Sequence, residues 1–210
     1  SEMCIRDSLN SSNAGCCTAR NQGLEMAGGH YCVFMDNDVY VGDEWWLVKL
    51  SGVLDSAPDI AIVGPKLVFA WDPSMIQCAG IGISRTGRVQ FIGRGEPSGD
   101  ERFNRQKEVQ AVISACMMFR KTLVDEIGTL DEVFNPVQYE DLDFCYRARQ
   151  AGYRVVYVPT VEMLHDESTT TMGEPTLKNR YLVIKHGMEF KRRWHHMFEH
   201  LSLIHISEPT

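Results

Sequence analysis

The apolar segment His30-Tyr-Cys-Val-Phe-Met35 runs directly into the acidic triplet Asp36-Asn37-Asp38. A short, continuous apolar run of this kind predicts a β-strand that is buried on both faces of a sheet. In open α/β sheets, ligands bind beyond the carboxyl ends of such strands. Carboxylates two residues apart can face one hard cation, such as Mg²⁺ or Mn²⁺, which prefers oxygen ligands. The triplet therefore predicts a metal-diphosphate site, with an Asx-type turn that only ends the strand as the alternative.

Strand-like and helix-like segments alternate along the rest of the chain. The 3.6-residue pattern and its end signals predict helices over residues 13–27, 43–54, 121–127, 140–151 and 176–201. Apolar runs predict strands over residues 30–35, 60–69, 76–83, 88–92, 109–119, 154–158 and 161–164. Residues 96–107 are polar and contain turn formers, which predicts a mobile surface loop. This alternation favours an α/β sandwich around a mostly parallel sheet.

Composition narrows the class of protein. A chain of 210 residues that is 44% hydrophobic and 23% charged fits one globular domain. A net charge of -7 argues against a nucleic-acid partner, which would require a basic balance. The seven cysteines form no CxxC pair, which is typical of free thiols in a reducing, cytoplasmic compartment. No run of about 18 apolar residues is long enough for a membrane span.

The two ends of the chain have a different character from the rest. Residues 1–8 and 202–210 resemble translated sequencing-adapter read-through, so we treat them as non-native and exclude them from the predicted fold. Residues 9–201 then form a single, partial domain of a longer chain. Its last helix carries Phe190, Trp194 and Phe198 among basic residues, which fits contact with the inner face of a membrane. Packing of this helix on its own domain is the preferred interpretation.

A second acidic group, Tyr139-Glu140-Asp141-Leu142-Asp143, opens a predicted helix. Acidic residues in a first turn are stabilised by the helix dipole, which is the simplest explanation for them. Asp141, however, shares the apolar side of this helix with Cys145 and Ala148, where a carboxylate is costly without a function or a partner. It could act as a general base toward a hydroxyl group. Asp143 and Arg147 are predicted to form a surface ion pair.

His165 ends the predicted strand 161–164 and is followed by Asp166. A single histidine is most often a satisfied structural residue. A neutral imidazole is also a good third ligand for Mn²⁺ beside carboxylates, so His165 is a candidate ligand.

Taken in order, these motifs resemble the domain of family 2 glycosyltransferases of the GT-A fold. The first half of the resemblance lies in Asn13-x-Gly15, Ala19-Arg20-Asn21-x-Gly23 and the strand that ends in Asp36-Asn37-Asp38. The second half lies in Val112-Ile-Ser-Ala-Cys-Met-Met-Phe-Arg-Lys121, Leu130-Asp-Glu-x-Phe134, Tyr139-Glu-Asp-Leu-Asp-Phe-Cys145 and Ala151-Gly-Tyr-Arg-Val-Val-Tyr-Val-Pro159. His165 falls where the rhamnosyl- and galactofuranosyl-transferase-like members place a metal-binding histidine.

The resemblance implies a three-layer α/β sandwich that lacks the first, nucleotide-holding strand of the family. It also implies an inverting, metal-dependent transfer of a sugar from a UDP- or dTDP-linked donor to a glycan or lipid-linked acceptor. Asp38, Asp36 and His165 would bind Mg²⁺ or Mn²⁺, with Asp36 acting directly or through the nucleotide ribose. Asp141 would be the general base, and Glu140 would orient the acceptor or the base. The donor would be held by Arg20 and Asn21, and its sugar pocket lined by Ala115 and Cys116.

Two other interpretations remain open at this point. A sugar-nucleotide pyrophosphorylase also builds a metal-diphosphate site on an α/β sheet, although it needs a Gly-rich phosphate loop after its first strand. A non-catalytic glycan-binding domain could keep the fold without the reaction.

Overall fold

The computed structural model describes residues 7–166 and 177–199. Its helices are α1 (Cys16–Met26), α2 (Trp46–Asp55), α3 (Lys121–Ile127), α4 (Glu140–Gln150) and α5 (Leu177–Phe198). Its strands are β1 (Tyr31–Met35), β2 (Val39–Val41), β3 (Ile60–Phe69), β4 (Asp72–Cys78), β5 (Ile81–Ile83), β6 (Val89–Phe91), β7 (Lys107–Val109), β8 (Cys116–Arg120) and β9 (Arg154–His165). Residues 1–6 and 200–210, which include most of both adapter-like ends, lie outside the described part.

Seven strands form one sheet in the order β1-β8-β3-β9-β2, with β4 paired to β3 and β7 paired to β9. Strands β3 and β9 pair in parallel, whereas the other pairings in this sheet are antiparallel. The sheet is therefore mixed, and the prediction of a mostly parallel sheet needs this correction. The physical reason is that short turns, such as the one between β3 and β4, can join only antiparallel neighbours. Strands β1, β3 and β9 still run in one direction, so their carboxyl ends lie toward the same edge.

The core is built around β3, in which every residue is buried. Helices α2 and α4 both pack against β3 and β9. Phe119 of β8 lies 4.9 Å from Phe34 of β1 and 5.1 Å from Phe144 of α4, measured between ring centroids. Burying each such ring stabilises the fold by about 1.5–3 kcal/mol. This aromatic cluster fixes the end of β1 relative to the start of α4.

Several element boundaries differ from the prediction. Strand β1 alternates between buried and partly exposed residues, because it lies at an edge of the sheet rather than inside it. The predicted strand 109–119 is two separate strands, β7 and β8. The segments 154–158 and 161–164 form one strand, β9, with a pairing irregularity opposite Pro65 and Lys66. The predicted hairpin is present as β5 and β6, but residues 76–78 belong to β4, which pairs with β3 instead.

The segment 96–107, predicted to be a mobile loop, is anchored to the sheet. The buried Lys66 ammonium donates to the Ser98 carbonyl at 2.9 Å and to Asn104 Oδ1 at 2.5 Å. The Tyr157 hydroxyl donates to the Phe103 carbonyl at 2.9 Å, and the Phe103 ring is buried. A buried ammonium must find such partners, and here the loop supplies them through one backbone carbonyl and one side-chain amide.

Helix α5 packs on its own domain through the three aromatic side chains that the sequence analysis named. Phe190, Trp194 and Phe198 are all buried, and their rings contact Tyr146 of α4. The preferred interpretation of this helix is therefore confirmed. Among the residues described, no helix combines the length and the apolar character needed to cross a bilayer.

Candidate metal and active site

The register of β2 against β9 brings Asp38 to His165. Val39 pairs with His165, and the backbone N–H of Asp166 donates to the Asp38 carbonyl at 3.0 Å. His165 Nε2 lies 3.3 Å from Asp38 Oδ1. One ligand atom from each of Asp36, Asp38 and His165 falls within 4.8 Å of the other two. The three predicted ligands are thus brought together, with His165 buried and the two carboxylates partly exposed.

The chemistry of this donor set fits a divalent cation. Two carboxylates and one neutral imidazole are suitable ligands for Mn²⁺, and Mg²⁺ accepts the two carboxylates. The partial exposure of Asp36 and Asp38 leaves room for oxygen ligands from a diphosphate.

His165 has a further partner that the sequence motifs did not indicate. Its Nδ1 lies 2.7 Å from Oε1 of Gln77 on β4, and Gln77 is 1% exposed. The available signal was a single glutamine within the apolar run Ile76-Gln77-Cys78. That signal alone does not predict a contact with a residue 88 positions further along the chain.

Arg20 joins the predicted metal ligands to the acidic pair at the start of α4. Its guanidinium donates to Asp36 Oδ1 at 2.7 Å and to Glu140 Oε1 at 3.1 Å. It also lies 5.4 Å from the centroid of the Phe34 ring. A planar guanidinium with several donors can hold two carboxylates at once, which an ammonium does less well. Arg20 therefore fixes the position of Asp36 relative to Glu140.

The two acidic residues at the start of α4 have different surroundings. Asp141 accepts hydrogen bonds from the backbone N–H groups of Ser114 at 3.2 Å and Leu142 at 2.8 Å. Burial, together with the neighbouring charge of Glu140, raises the pKa of Asp141 to about 7. Glu140 is 3% exposed, and its Oε2 has no hydrogen-bond partner among the described residues. Asp141 is therefore suited to exchange a proton near neutral pH.

The backbone just before α4 is held in an unusual conformation. Gln138 and Tyr139 have φ angles of 87° and 74°, which are uncommon for residues with side chains. The Tyr139 ring lies close to Gly187 of α5, where an added Cβ would come within 2.9 Å of the Tyr139 hydroxyl. Strain of this kind clusters at functional sites, and here it directs the first turn of α4.

The other predicted donor-binding residues are held by contacts of different kinds: Ala115 and Cys116 lie beside the end of β1, whereas Asn21 is bonded to Leu130. The side-chain amide of Asn21 donates to the Leu130 carbonyl and accepts from the Leu130 N–H, each at 2.9 Å, so Asn21 joins α1 to the loop after α3. The Ala115 carbonyl accepts from the Asp36 N–H at 2.9 Å, and Ala115 is buried. Cys116 is also buried, and burial with the nearby Asp36 charge raises its pKa to about 12. The backbone at Ala115 and Cys116 thus supports the end of β1.

Asp143 does not lie at the surface, so the prediction of a surface ion pair with Arg147 is wrong in that respect. The pair itself is present, at 2.8 Å, but Asp143 is fully buried. The Trp194 indole N–H also donates to Asp143 at 2.9 Å, and Arg193 lies at 3.4 Å. Helix α5 covers the carboxylate, a tertiary contact that the i, i+4 spacing does not reveal.

Two family models match the chain. The model of glycosyl transferase family 2 matches residues 2–128, more than half of the chain. The model of glycosyl transferase family group 2 matches residues 100–205.

Three curated bacterial proteins illustrate the relatives. The uncharacterized protein y4gI of Sinorhizobium fredii is 29% identical over 178 residues, which are 83% of this chain and 19% of that protein. The O-antigen biosynthesis protein RfbC of Myxococcus xanthus is 29% identical over 164 residues, 73% of this chain and 12% of that protein. An N-acetylglucosaminyl-diphospho-decaprenol L-rhamnosyltransferase of Mycobacterium tuberculosis is 27% identical over 183 residues, which are 78% of this chain and 59% of that protein. The chain thus spans between 12% and 59% of the length of these relatives.

Two solved structures resemble the fold. The crystal structure of GalNAc-T7 with UDP, GalNAc and Mn²⁺ has a TM-score of 0.60 at 16% identity, covering 92% of this chain and 40% of that one. The mannosyltransferase PcManGT from Pyrobaculum calidifontis, in complex with GDP-Man and Mn²⁺, has a TM-score of 0.51 at 13% identity, covering 86% and 50%. At these identities the likeness shows the fold alone, and it confirms the predicted α/β GT-A class.

Proposed function

Because the chain belongs to glycosyl transferase family 2, we propose that it transfers a sugar from a nucleotide-diphospho-sugar, by an inverting and metal-dependent reaction. The observation that carries the proposal is the double contact of Arg20. This guanidinium holds Asp36 of the ligand set and Glu140 of the acidic pair in one arrangement. A metal site and a proton acceptor on opposite sides of one reacting sugar are what such a transfer requires.

Asp36, Asp38 and His165 would hold the metal, as the convergence of their ligand atoms within 4.8 Å supports. When bound, Mn²⁺ or Mg²⁺ would neutralise the negative charge that develops on the departing diphosphate. The two solved relatives of the fold contain Mn²⁺ with UDP in one and GDP-Man in the other. For this chain we propose a UDP- or dTDP-linked donor.

Asp141 would act as the general base. Its carboxylate would take the proton from the acceptor hydroxyl while that oxygen attacks the anomeric carbon from the face opposite the diphosphate. Single displacement inverts the configuration at this carbon. A base whose pKa is about 7 accepts a proton more readily than an ordinary aspartate with a pKa of 3.8. Glu140 would orient the acceptor or the base, while Ala115 and Cys116 would lie beside the sugar.

The acceptor that we propose is a glycan or a lipid-linked sugar, reached on the cytoplasmic side of a membrane. The name of the Mycobacterium tuberculosis relative describes transfer of rhamnose to a sugar carried on a diphospho-lipid. Since the aromatic face of α5 is buried, a contact with lipid would have to use its other face, where Tyr181, Ile184 and Met188 are exposed.

The proposal is tested by measuring nucleoside diphosphate release from UDP-, dTDP- and GDP-sugars, with and without Mn²⁺. We expect Mn²⁺-dependent release that Asp38→Ala abolishes by preventing metal-dependent donor binding. We expect Asp141→Asn to bind the donor normally and to lose turnover. Near-normal turnover in Asp141→Asn would show that another group is the base.

The two alternatives predict different results, each in a measurement of its own. A pyrophosphorylase would form a nucleoside triphosphate from the nucleotide-sugar and pyrophosphate, and the family membership argues against that reaction. A non-catalytic domain would show no metal-dependent thermal stabilisation by UDP.

A further inference from the structure

The amide of Gln77 contacts the imidazole of His165 from a strand that carries none of the other site residues. Gln77 Oε1 lies 2.7 Å from His165 Nδ1, and both side chains are buried, at 1% and 8% exposure. The opposite ring nitrogen, Nε2, is the atom that lies 3.3 Å from Asp38. One ring nitrogen of His165 thus faces the buried amide of Gln77, and the other faces the carboxylate of Asp38.

A β-bulge gives Gln77 this orientation. Where β4 pairs with β3, Cys78 lies opposite Leu67 and Ile76 lies opposite Val68, so Gln77 is an extra residue. Successive residues of a regular strand point to opposite faces, yet Ile76, Gln77 and Cys78 are all buried. Bulges recur next to active sites, where they redirect a side chain. Here the bulge directs Gln77 toward the end of β9.

Packing alone does not explain a glutamine at this position. Gln77 Nε2 is buried and has no hydrogen-bond partner among the described residues. An unpaired buried donor destabilises a folded chain, whereas an apolar side chain of similar shape would avoid that penalty. The hydrogen bond made by Oε1 is the remaining reason to place an amide there.

We propose that Gln77 positions His165 for the metal by determining which ring nitrogen carries the proton. Gln77 Oε1 accepts the proton on Nδ1, which leaves the lone pair of Nε2 directed toward Asp36 and Asp38. Without this acceptor the proton would move to Nε2, where Asp38 Oδ1 can accept it. An Nε2 that carries a proton cannot bind a metal. The inference rests on the proposed function, since it takes His165 as a ligand, and it makes Gln77 a positioning residue.

The position of the proton can be measured without any metal. In protein labelled with ¹⁵N-histidine, long-range ¹H–¹⁵N correlation spectra at alkaline pH, where imidazole is neutral, distinguish the two tautomers. We expect the Nδ1–H form for His165 in the wild type, and the Nε2–H form in Gln77→Met. Gln77→Glu keeps an acceptor oxygen and should keep the Nδ1–H form. Gln110→Met is the matched control, because the Gln110 side-chain amide is bonded to Tyr146 and Ile83 rather than to His165.

Titration with Mn²⁺ provides the second measurement. Loss of a partner that orients a metal-binding histidine typically weakens metal affinity by about 10–100-fold, so we expect this in Gln77→Met. Gln77→Glu and Gln110→Met should bind Mn²⁺ like the wild type. The proposal is overturned if the wild type has the Nε2–H form, or if Gln77→Met keeps both the wild-type tautomer and affinity. If His165→Ala binds Mn²⁺ as tightly as the wild type, the proposed metal site is wrong, whatever the tautomer.

Discussion

Replacing Asp141 with asparagine should stabilise the fold, and should do so more strongly as the pH rises. Burial, with the adjacent charge of Glu140, raises the pKa of Asp141 from 3.8 to about 7. Between these values the folded protein retains a proton that the unfolded chain has released. The free energy of unfolding of the wild type therefore falls as the pH rises through this window, and above about 7 the full penalty is present. Asparagine carries no charge at any pH and escapes the penalty.

The size of the effect follows from the two pKa values. One pH unit corresponds to about 1.4 kcal/mol, so a rise from 3.8 to about 7 destabilises the charged state by about 4 kcal/mol. At a pH of about 5.5 roughly half of this penalty is already present. The advantage of Asp141→Asn should thus grow by about 2 kcal/mol between a pH of about 5.5 and about 8. Any change in the hydrogen bonds from Ser114 and Leu142 is the same at both pH values and cancels.

Urea unfolding followed by tryptophan fluorescence measures this difference. Asp59→Asn is the matched control, because the hydrogen bond from Arg154 holds the pKa of the exposed Asp59 below its usual range. In that variant the change in free energy should be the same at both pH values. An advantage of Asp141→Asn that stays constant between the two pH values, or shrinks at the higher one, would refute the account of Asp141.

Two further predictions concern the support of the site. Gly15 has a φ of +88°, and an added Cβ would clash with the side chain of Asn135. Gly15→Ala should therefore destabilise the fold by about 1–3 kcal/mol. Gly23→Ala, inside α1 with open space around it, should stabilise it by about 0.5–1 kcal/mol, and equal effects of the two changes would contradict this reasoning. Trp194→Phe removes the donor to the buried Asp143 and should cost about 1–3 kcal/mol in urea unfolding. Trp45→Phe, at a side chain that is 59% exposed, should change the free energy by less than about 0.5 kcal/mol; a similar loss in both would rule out the hydrogen bond as the cause.

Much of the candidate site follows from local sequence patterns. An apolar run that ends in Asp36 and Asp38 predicts where two carboxylates lie relative to a sheet, and the α4 pattern places Asp141 on its inner side. His165 is a predicted ligand because it ends a predicted strand. These inferences depend on residues within one element, where side-chain periodicity is fixed by backbone geometry.

The contacts between elements were beyond the sequence patterns. The double ion pair of Arg20 joins residues up to 120 positions apart, and nothing in the α1 pattern specifies it. Gln77 reaches His165 only because an extra residue enters β4, and a bulge depends on the pairing with β3. The mixture of parallel and antiparallel pairings in the sheet was not predicted for the same reason, since long-range packing decides which strands pair. The burial of Asp143 was not predicted, because the helix that covers it, α5, begins more than 30 residues later.

The most direct test of the metal site is pulsed electron paramagnetic resonance of Mn²⁺ bound to the protein in the presence of UDP. An imidazole ligand produces ¹⁴N modulation of the Mn²⁺ spin echo. We expect this modulation in the wild type, its loss in His165→Ala, and much weaker Mn²⁺ binding in Asp38→Ala. Modulation that persists unchanged in His165→Ala, or Mn²⁺ binding that is unaffected by Asp38→Ala, would contradict a site formed by Asp36, Asp38 and His165.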